Sequence, residues 1–177
     1  RLMIRRENFF MNTYMKTGVW VGAADATGTA GGTPGSTTPA FWNDDANGDP
    51  FTDIAAAQTS ILQNTSFMPN TLVLTWPVYQ ALRKHPLIID RIKYTSPTYA
   101  GTITPQLLAA AFDVDRVLVS KAVYNSGIEG QADSFGFSAG KNAMLLHVAP
   151  SPGLMIPSAG YTFSWSGFTG LNNLGVR

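Results

Sequence analysis

The stretch Gly136–Gly140 matches the Gly-x-Ser-x-Gly nucleophile elbow of serine hydrolases. In that elbow a strand precedes the serine, a helix follows it, and an acid and a histidine come later in the chain. Here the residues after Gly140 predict a strand, His147 falls within that strand, and no Asp or Glu follows Ala139. We therefore interpret the motif as a structural glycine-rich turn, with a serine hydrolase that uses Ser138 and His147 as the alternative.

A second candidate for chemistry is the acidic segment Asn43–Asp49, in which Asp and Asn side chains are closely spaced. Calcium prefers several oxygen ligands from such a run, and the EF-hand loop needs a bidentate Glu at its twelfth position. Counted from Asn43, the twelfth position is Ile54, whose side chain carries no oxygen. We therefore predict a turn that leads into the next helix, and no calcium site.

The histidines and cysteines offer little further chemistry. The chain has no Cys and two His, which excludes disulfides and thiolate metal sites and makes a zinc site unfavourable. No glycine-rich phosphate-binding motif follows a predicted strand, so we expect neither a cofactor nor a metal. His85 stands beside Arg83 and Lys84 at the end of a predicted helix, where cations are favoured, and we predict a capping role for it.

Charged residues are scarce, at 13% of the chain against about 25% in typical soluble domains. The hydrophobic fraction is 45% and the net charge is +1, so little charge repulsion would keep copies apart. The composition therefore predicts a surface covered by other subunits. No basic run interleaves with aromatic residues, so any contact with DNA would be weak and non-specific. No apolar run is long enough to cross a bilayer, and we expect a product made in the cytoplasm with no membrane partner.

The clearest local pattern lies in the central third of the chain. Leu72–Leu74 predicts a strand, the Thr75 hydroxyl is expected to cap exposed amides, and Pro77 opens a helix. The same order of elements recurs at Thr104-Pro105, which predicts a helix followed by the strand Val117–Val119. This alternation of strands and helices predicts an α+β core.

The remaining elements follow from apolar spacing and from Gly and Pro. Apolar faces are predicted from Phe51, Ile54, Ala55, Ile61 and Leu62 in a helix over 52–63, and from Ile88, Ile89 and Ile92 in a helix over 87–94. The other predicted elements are a helix over 2–15 ended by Gly18, a short strand over 19–21, a loop over 22–40, turns over 96–101 and 125–130, and strands over 122–124, 144–148 and 161–165.

Several stretches, taken together and in order, resemble the major capsid proteins of tailed bacteriophages, whose fold is shared with encapsulin shells. These stretches are Arg5–Phe10, Thr17–Trp20, Phe41-Trp42, Asp49-Pro50, Asn70–Leu74, Val119–Asn125, Glu129-Gly130, Pro152–Leu154, Pro157-Ser158 and Gly160–Trp165.

The resemblance implies the tailed-phage capsid fold, with the end of a spine helix and an axial-domain mixed sheet flanked by helices. Residues 1–21 would form the end of the peripheral-domain spine helix and a short strand. Residues 22–50 would form a flexible loop and the acidic turn, and residues 51–177 the axial-type α+β domain. The family's N-terminal arm and extended loop would lie before Arg1.

The resemblance also implies a function. The chain would be a non-enzymatic shell subunit that assembles with its copies, in the host cytoplasm, into the icosahedral head of a phage virion that encloses DNA. Another phage structural component is the further alternative. We expect subunit contacts in the loops nearest the capsomer axis, and the candidate residues are Asn125, Gly127, Ile128, Glu129, Gly130 and Tyr99.

Overall fold

The computed structural model of the chain describes residues 2–20, 25–95, 103–128, 130–153 and 155–161. Within these ranges helices and strands are mixed along the chain, which confirms the α+β class. Across the same ranges no helix combines the length and the apolar character needed to cross a bilayer. The elements are α1 Leu2–Tyr14, α2 Pro50–Thr65, β1 Thr71–Thr75, α3 Trp76–Lys84, α4 Pro86–Thr95, α5 Pro105–Ala111, β2 Arg116–Ser120, β3 Val123–Asn125, β4 Phe135–Phe137 and β5 Ala143–Leu146.

Two sheets are present in the described residues. The larger one has the strand order β2-β1-β5, in which β1 pairs parallel with β2 and antiparallel with β5. Parallel strands cannot be joined by a tight turn, and here the helices α3, α4 and α5 make the crossover from β1 to β2. The smaller sheet is the antiparallel β3–β4 hairpin.

The hydrophobic core lies between one face of the larger sheet and the helices. Leu72 and Leu74 on β1 point into it and are fully enclosed, because alternate residues of a strand share one face. The helices and β2 contribute the other buried members, which are Ile54, Tyr79, Leu82, Ile88, Ile92, Leu108, Ala109, Phe112, Val114 and Val117.

Side-chain caps begin two of these helices. The Asp49 carboxylate accepts the backbone N–H groups of Phe51 and Thr52, at 3.0 and 3.2 Å, and so caps α2. Thr104 Oγ1 accepts the Leu107 N–H at 3.4 Å at the start of α5. The prediction that the Thr75 hydroxyl caps α3 is wrong.

Thr75 does occupy the N-cap position of α3, but its hydroxyl makes no capping bond. Its side chain is buried, and Oγ1 has no hydrogen-bond partner among the described residues. One physical reason is that Pro77 stands in the first turn and has no N–H to donate.

Three residues predicted to face the core are exposed instead. Ile89 and Leu62 are 43% and 44% exposed, and Ala55 is also on the surface. In α4 the core is reached by Ile88 and Ile92, which are four positions apart on one stripe, and Ile89 lies about 100° around the helix from Ile88. The apolar faces of α2 and α4 are therefore wider than the stripes that the core covers.

The N-terminal region departs from the sequence-based prediction in one respect. The helix over 2–15 is confirmed as α1, and Gly18 follows it with a positive φ of 85°. Val19 and Trp20 form a bend, so the predicted strand is wrong where it is described. The Asp25 carboxylate fixes this bend by accepting the N–H groups of Gly18 and Trp20, at 2.6 and 3.1 Å.

The described part of the predicted loop, residues 25–40, folds back on itself. Thr27 and Thr29 donate backbone hydrogen bonds to Thr37 and Pro39, at 2.9 and 2.8 Å, and Ala40 is buried. The predicted turn over 96–101 and nearly all of the predicted strand over 161–165 lie outside the described residues.

Candidate functional site

The β3–β4 hairpin carries apolar side chains on its surface. Val123 pairs with Phe137 and Asn125 with Phe135, and the alternation of strands puts these four side chains on one face. Phe135 is 70% exposed, Val123 49% and Phe137 38%. Because an isolated two-stranded hairpin is marginally stable in water, this face is one that a partner would stabilise.

Asn125 organises the turn that closes the hairpin. Its Oδ1 accepts the backbone N–H groups of Gly127 and Ser134, both at 2.9 Å, and its Nδ2 donates to Asp133 Oδ1 at 2.5 Å. A side chain at Gly127 would place Cβ 2.9 Å from the Ala132 carbonyl oxygen. The side chain of Asn125 thus holds the turn in shape.

The structure brings four of the predicted contact residues together in this turn, namely Asn125, Gly127, Ile128 and Gly130. Ile128 is the prominent one, since its side chain is 75% exposed. Gly130 adopts a positive φ of 89°, which favours glycine. Glu129 and Tyr99 lie outside the described residues. A contact between these residues and another subunit stays a prediction.

Ser138 does not stand in a nucleophile elbow. Strand β4 precedes it, but a turn and then β5 follow it where the elbow has a helix. The side chain is buried, and its hydroxyl donates a hydrogen bond to Asn8 Oδ1 on α1. His147 has a different partner, since its Nδ1 lies 2.8 Å from the Met68 carbonyl oxygen. The interpretation of the motif as a structural turn agrees with this geometry.

His85 is the C-cap residue of α3, as predicted, although its ring takes no part in the cap. The backbone N–H donates to the Leu82 carbonyl at 3.2 Å, whereas neither ring nitrogen has a partner among the described residues. The ring is fully buried, and a Cβ at Gly48 would lie 3.5 Å from Nε2. The predicted capping position is therefore confirmed, but the backbone makes the cap and the ring is enclosed beneath the acidic turn.

Two carboxylates of the acidic turn, Asp44 and Asp49, accept hydrogen bonds from neighbouring residues. Asp44 accepts from the Asn47 side-chain amide at 3.0 Å and from the Ala46 N–H at 3.1 Å, and these two bonds lower the pKa of Asp44. Partial burial alone would raise the pKa of Asp49, but hydrogen bonds from Thr52 and Phe51 outweigh burial and lower it. The predicted turn into a helix is confirmed. Within the described ranges no group of three or more His, Cys, Asp or Glu side chains could hold a metal ion.

The outer face of α1 carries a second exposed apolar surface, which we call the aromatic cluster. The Phe10 and Tyr14 rings lie 5.0 Å apart, and Trp20 follows at 6.5 Å from Tyr14. The three side chains are 41–52% exposed. On its inner side α1 is joined to the turn after β4, where Asn142 Nδ2 donates to the Met15 carbonyl at 2.8 Å.

No family model matches the chain. A major capsid protein of Burkholderia phage BcepMu is 31% identical to it over an alignment of 127 residues that covers 69% of the chain. The predicted resemblance to phage major capsid proteins is confirmed. A crystal structure of a phage-related protein from Bordetella bronchiseptica agrees, with a TM-score of 0.74, 27% identity and 92% of the chain covered.

The chain spans 39% of the length of the BcepMu capsid protein and 49% of the Bordetella protein. The described fold therefore corresponds to part of each of these longer proteins.

Sequence reasoning missed the apolar face of the hairpin. Phe135, Gly136 and Phe137 lead into the hydrolase-like motif, but apolar residues at alternate positions are also typical of a strand. This alternation covers only three residues, which is too short to predict a strand by itself. It becomes informative once the pairing of β4 with β3 is known.

Proposed function

We propose that the chain is part of a shell subunit that self-assembles into the closed icosahedral head of a phage and encloses its DNA. The observation that carries the proposal is the 31% identity with the BcepMu major capsid protein. The role is structural and non-enzymatic, and assembly takes place in the cytoplasm of the bacterial host. Many copies of one subunit can close a shell when their contacts follow point-group symmetry.

The arrangement of the surface supports this proposal. The chain has few charged residues, and the β3–β4 hairpin and the aromatic cluster both expose apolar side chains. Exposed apolar patches of this kind are common on surfaces that other subunits cover. We further propose the division into residues 1–21 as the end of a spine helix, 22–50 as a loop, and 51–177 as the axial domain. Asn125, Gly127, Ile128, Glu129, Gly130 and Tyr99 are the proposed contact residues.

Electron microscopy of the complete gene product tests the shell directly. We expect closed particles from the unaltered protein. Ile128→Asp should lower the particle yield, because it buries a charge in the contact, while leaving the thermal unfolding midpoint unchanged. Met155→Asp is the matched control, since Met155 is a 96% exposed apolar residue outside the hairpin.

The two parts of the proposal fail separately in this experiment. An unaltered protein that forms no particles would contradict the shell function. A normal particle yield from Ile128→Asp would contradict the contact at Ile128 and leave the shell function standing.

Labelling with a serine-reactive fluorophosphonate tests the hydrolase alternative. We expect no labelling, because the Ser138 hydroxyl is buried and bonded to Asn8. Stoichiometric labelling that disappears in Ser138→Ala would overturn the non-enzymatic role.

A further inference from the structure

Strand β2 lies at the edge of the larger sheet. It pairs with β1 on one side, through five residues in register from Thr71↔Arg116 to Thr75↔Ser120. Among the described residues no strand pairs with its other side. The peptide groups on that side therefore form a row of donors and acceptors that an added strand can use.

This edge has little of the usual protection against pairing. Edge strands are commonly guarded by Pro or by Lys, and β2 contains neither in its sequence Arg-Val-Leu-Val-Ser. Leu118 at its centre is 49% exposed. The Arg116 side chain folds back over the neighbouring strand β1, where its Nε donates a hydrogen bond to Thr71 Oγ1 at 3.0 Å. An exposed apolar edge of this kind suits a strand from another chain.

We infer that β2 pairs antiparallel with β2 of a second copy, across a two-fold axis at Leu118. This inference rests on the proposed self-assembly of the subunit. The sequence of β2 is complementary to itself in that register, since Leu118 meets Leu118, Val117 meets Val119, and Arg116 meets Ser120. A parallel pairing would instead place Arg116 beside Arg116, and like charges directly opposite destabilise a pair of strands.

The pairing would join the two three-stranded sheets into one continuous sheet. Val117 is buried and Val119 packs against the core of its own subunit, so their cross-strand pairs would extend both cores across the axis. On the opposite face the two Leu118 side chains would cover each other. The contact is isologous, and it would close on itself as a pair.

The absence of Cys from the chain allows a direct test by disulfide cross-linking. Directly opposite residues of antiparallel strands have Cα atoms about 4.5–5.5 Å apart, which is within disulfide range. We expect Leu118→Cys to give a covalent dimer under mild oxidation. It should form at least about ten-fold faster than the dimer of Gln63→Cys, an exposed control on α2, because pairing raises the effective thiol concentration.

The register is tested by a second set of variants. Arg116→Cys and Ser120→Cys should each fail to cross-link alone, because two copies of either residue would lie roughly 13 Å apart across the axis. The double variant Arg116→Cys/Ser120→Cys should cross-link. Circular dichroism of each variant checks that the fold is intact.

Three results would overturn the inference. One is a Leu118→Cys variant whose thiol reacts freely with maleimide and forms no dimer, which would leave the edge open. Another is protection of the same thiol from maleimide in the absence of a dimer. That result would mean that another segment of the chain covers β2. The third is cross-linking of Arg116→Cys alone. If the complete gene product still forms shells in any of these cases, the proposed function stands while the β2 contact falls.

Discussion

The two sheets of this protein place their apolar side chains in opposite environments. In the larger sheet Leu72, Leu74 and Val117 are buried beneath the helices, whereas in the β3–β4 hairpin Val123, Phe135 and Phe137 are exposed. Burial of a large side chain stabilises a fold by about 1.5–3 kcal/mol. In the isolated chain Phe135 forgoes most of that gain, and Val123 and Phe137 forgo part of it. The comparison teaches that the core face of the larger sheet holds the subunit together, whereas the hairpin exposes an apolar face that we propose a partner covers.

The sharpest test of the comparison is the replacement of a buried residue in the larger sheet. Leu74→Ala should lower the free energy of unfolding by about 3 kcal/mol, because it removes a fully enclosed side chain and leaves a cavity. Urea denaturation monitored by circular dichroism measures this loss. Leu62→Ala, at a 44% exposed position on α2, is the control and should cost about 0.5 kcal/mol or less. Equal losses in the two variants would refute the assignment of the core.

A smaller effect is expected where the core meets the acidic turn. Asp49→Ala should cost about 1 kcal/mol, because it removes the cap of α2. Since folding lowers the pKa of Asp49 below its ordinary value of 3.8, this stabilisation is present above that pH and lost as pH falls through the lowered pKa.

Denaturation curves measured between about pH 3 and pH 6 check this dependence. The variant should lose less stability on acidification than the unaltered chain. Asp45→Ala, at an exposed position of the same turn, should change neither the free energy of unfolding nor its dependence on pH. An effect equal to that of Asp49→Ala would show that the overall charge of the protein causes the acid response.

The smallest effect on stability is expected in the hairpin. Phe135→Ser should change the free energy of unfolding by about 0.5 kcal/mol or less, because its ring is mostly in water already. Particle yield should nevertheless fall, and Met155→Ser should leave that yield unchanged. A large loss of stability in Phe135→Ser would show that the hairpin, like the larger sheet, stabilises the fold of the isolated chain.

Much of the fold follows from local patterns in the sequence. The strand at Leu72–Leu74, the strand at Val117–Val119 and the helix that starts at Thr104-Pro105 are predicted correctly, because each depends on residues that are close together in the sequence. Ile89 and Leu62 could not be placed in the same way. Their exposure depends on how much of each helix a distant element covers, which apolar spacing along one helix does not record.

The candidate site is predicted less completely, for a related reason. The turn containing Ile128 is expected from its Gly and polar residues, but the exposed face beside it depends on the pairing of β3 with β4. The buried ring of His85 also escapes prediction. Its neighbours in sequence are Arg83 and Lys84, while the turn that encloses it is about 40 residues away along the chain.

The attachment of α1 has a consequence for the order of events during translation. Its hydrogen bonds reach residues that are 130 and 127 positions later, through the pairs Asn8–Ser138 and Met15–Asn142. At ribosomal rates of about 5–20 residues per second, α1 waits roughly 6–26 s for these partners. Throughout that interval Asn8 and Met15 lack these partners, so the N-terminal helical region is joined to the rest of the protein only late in synthesis.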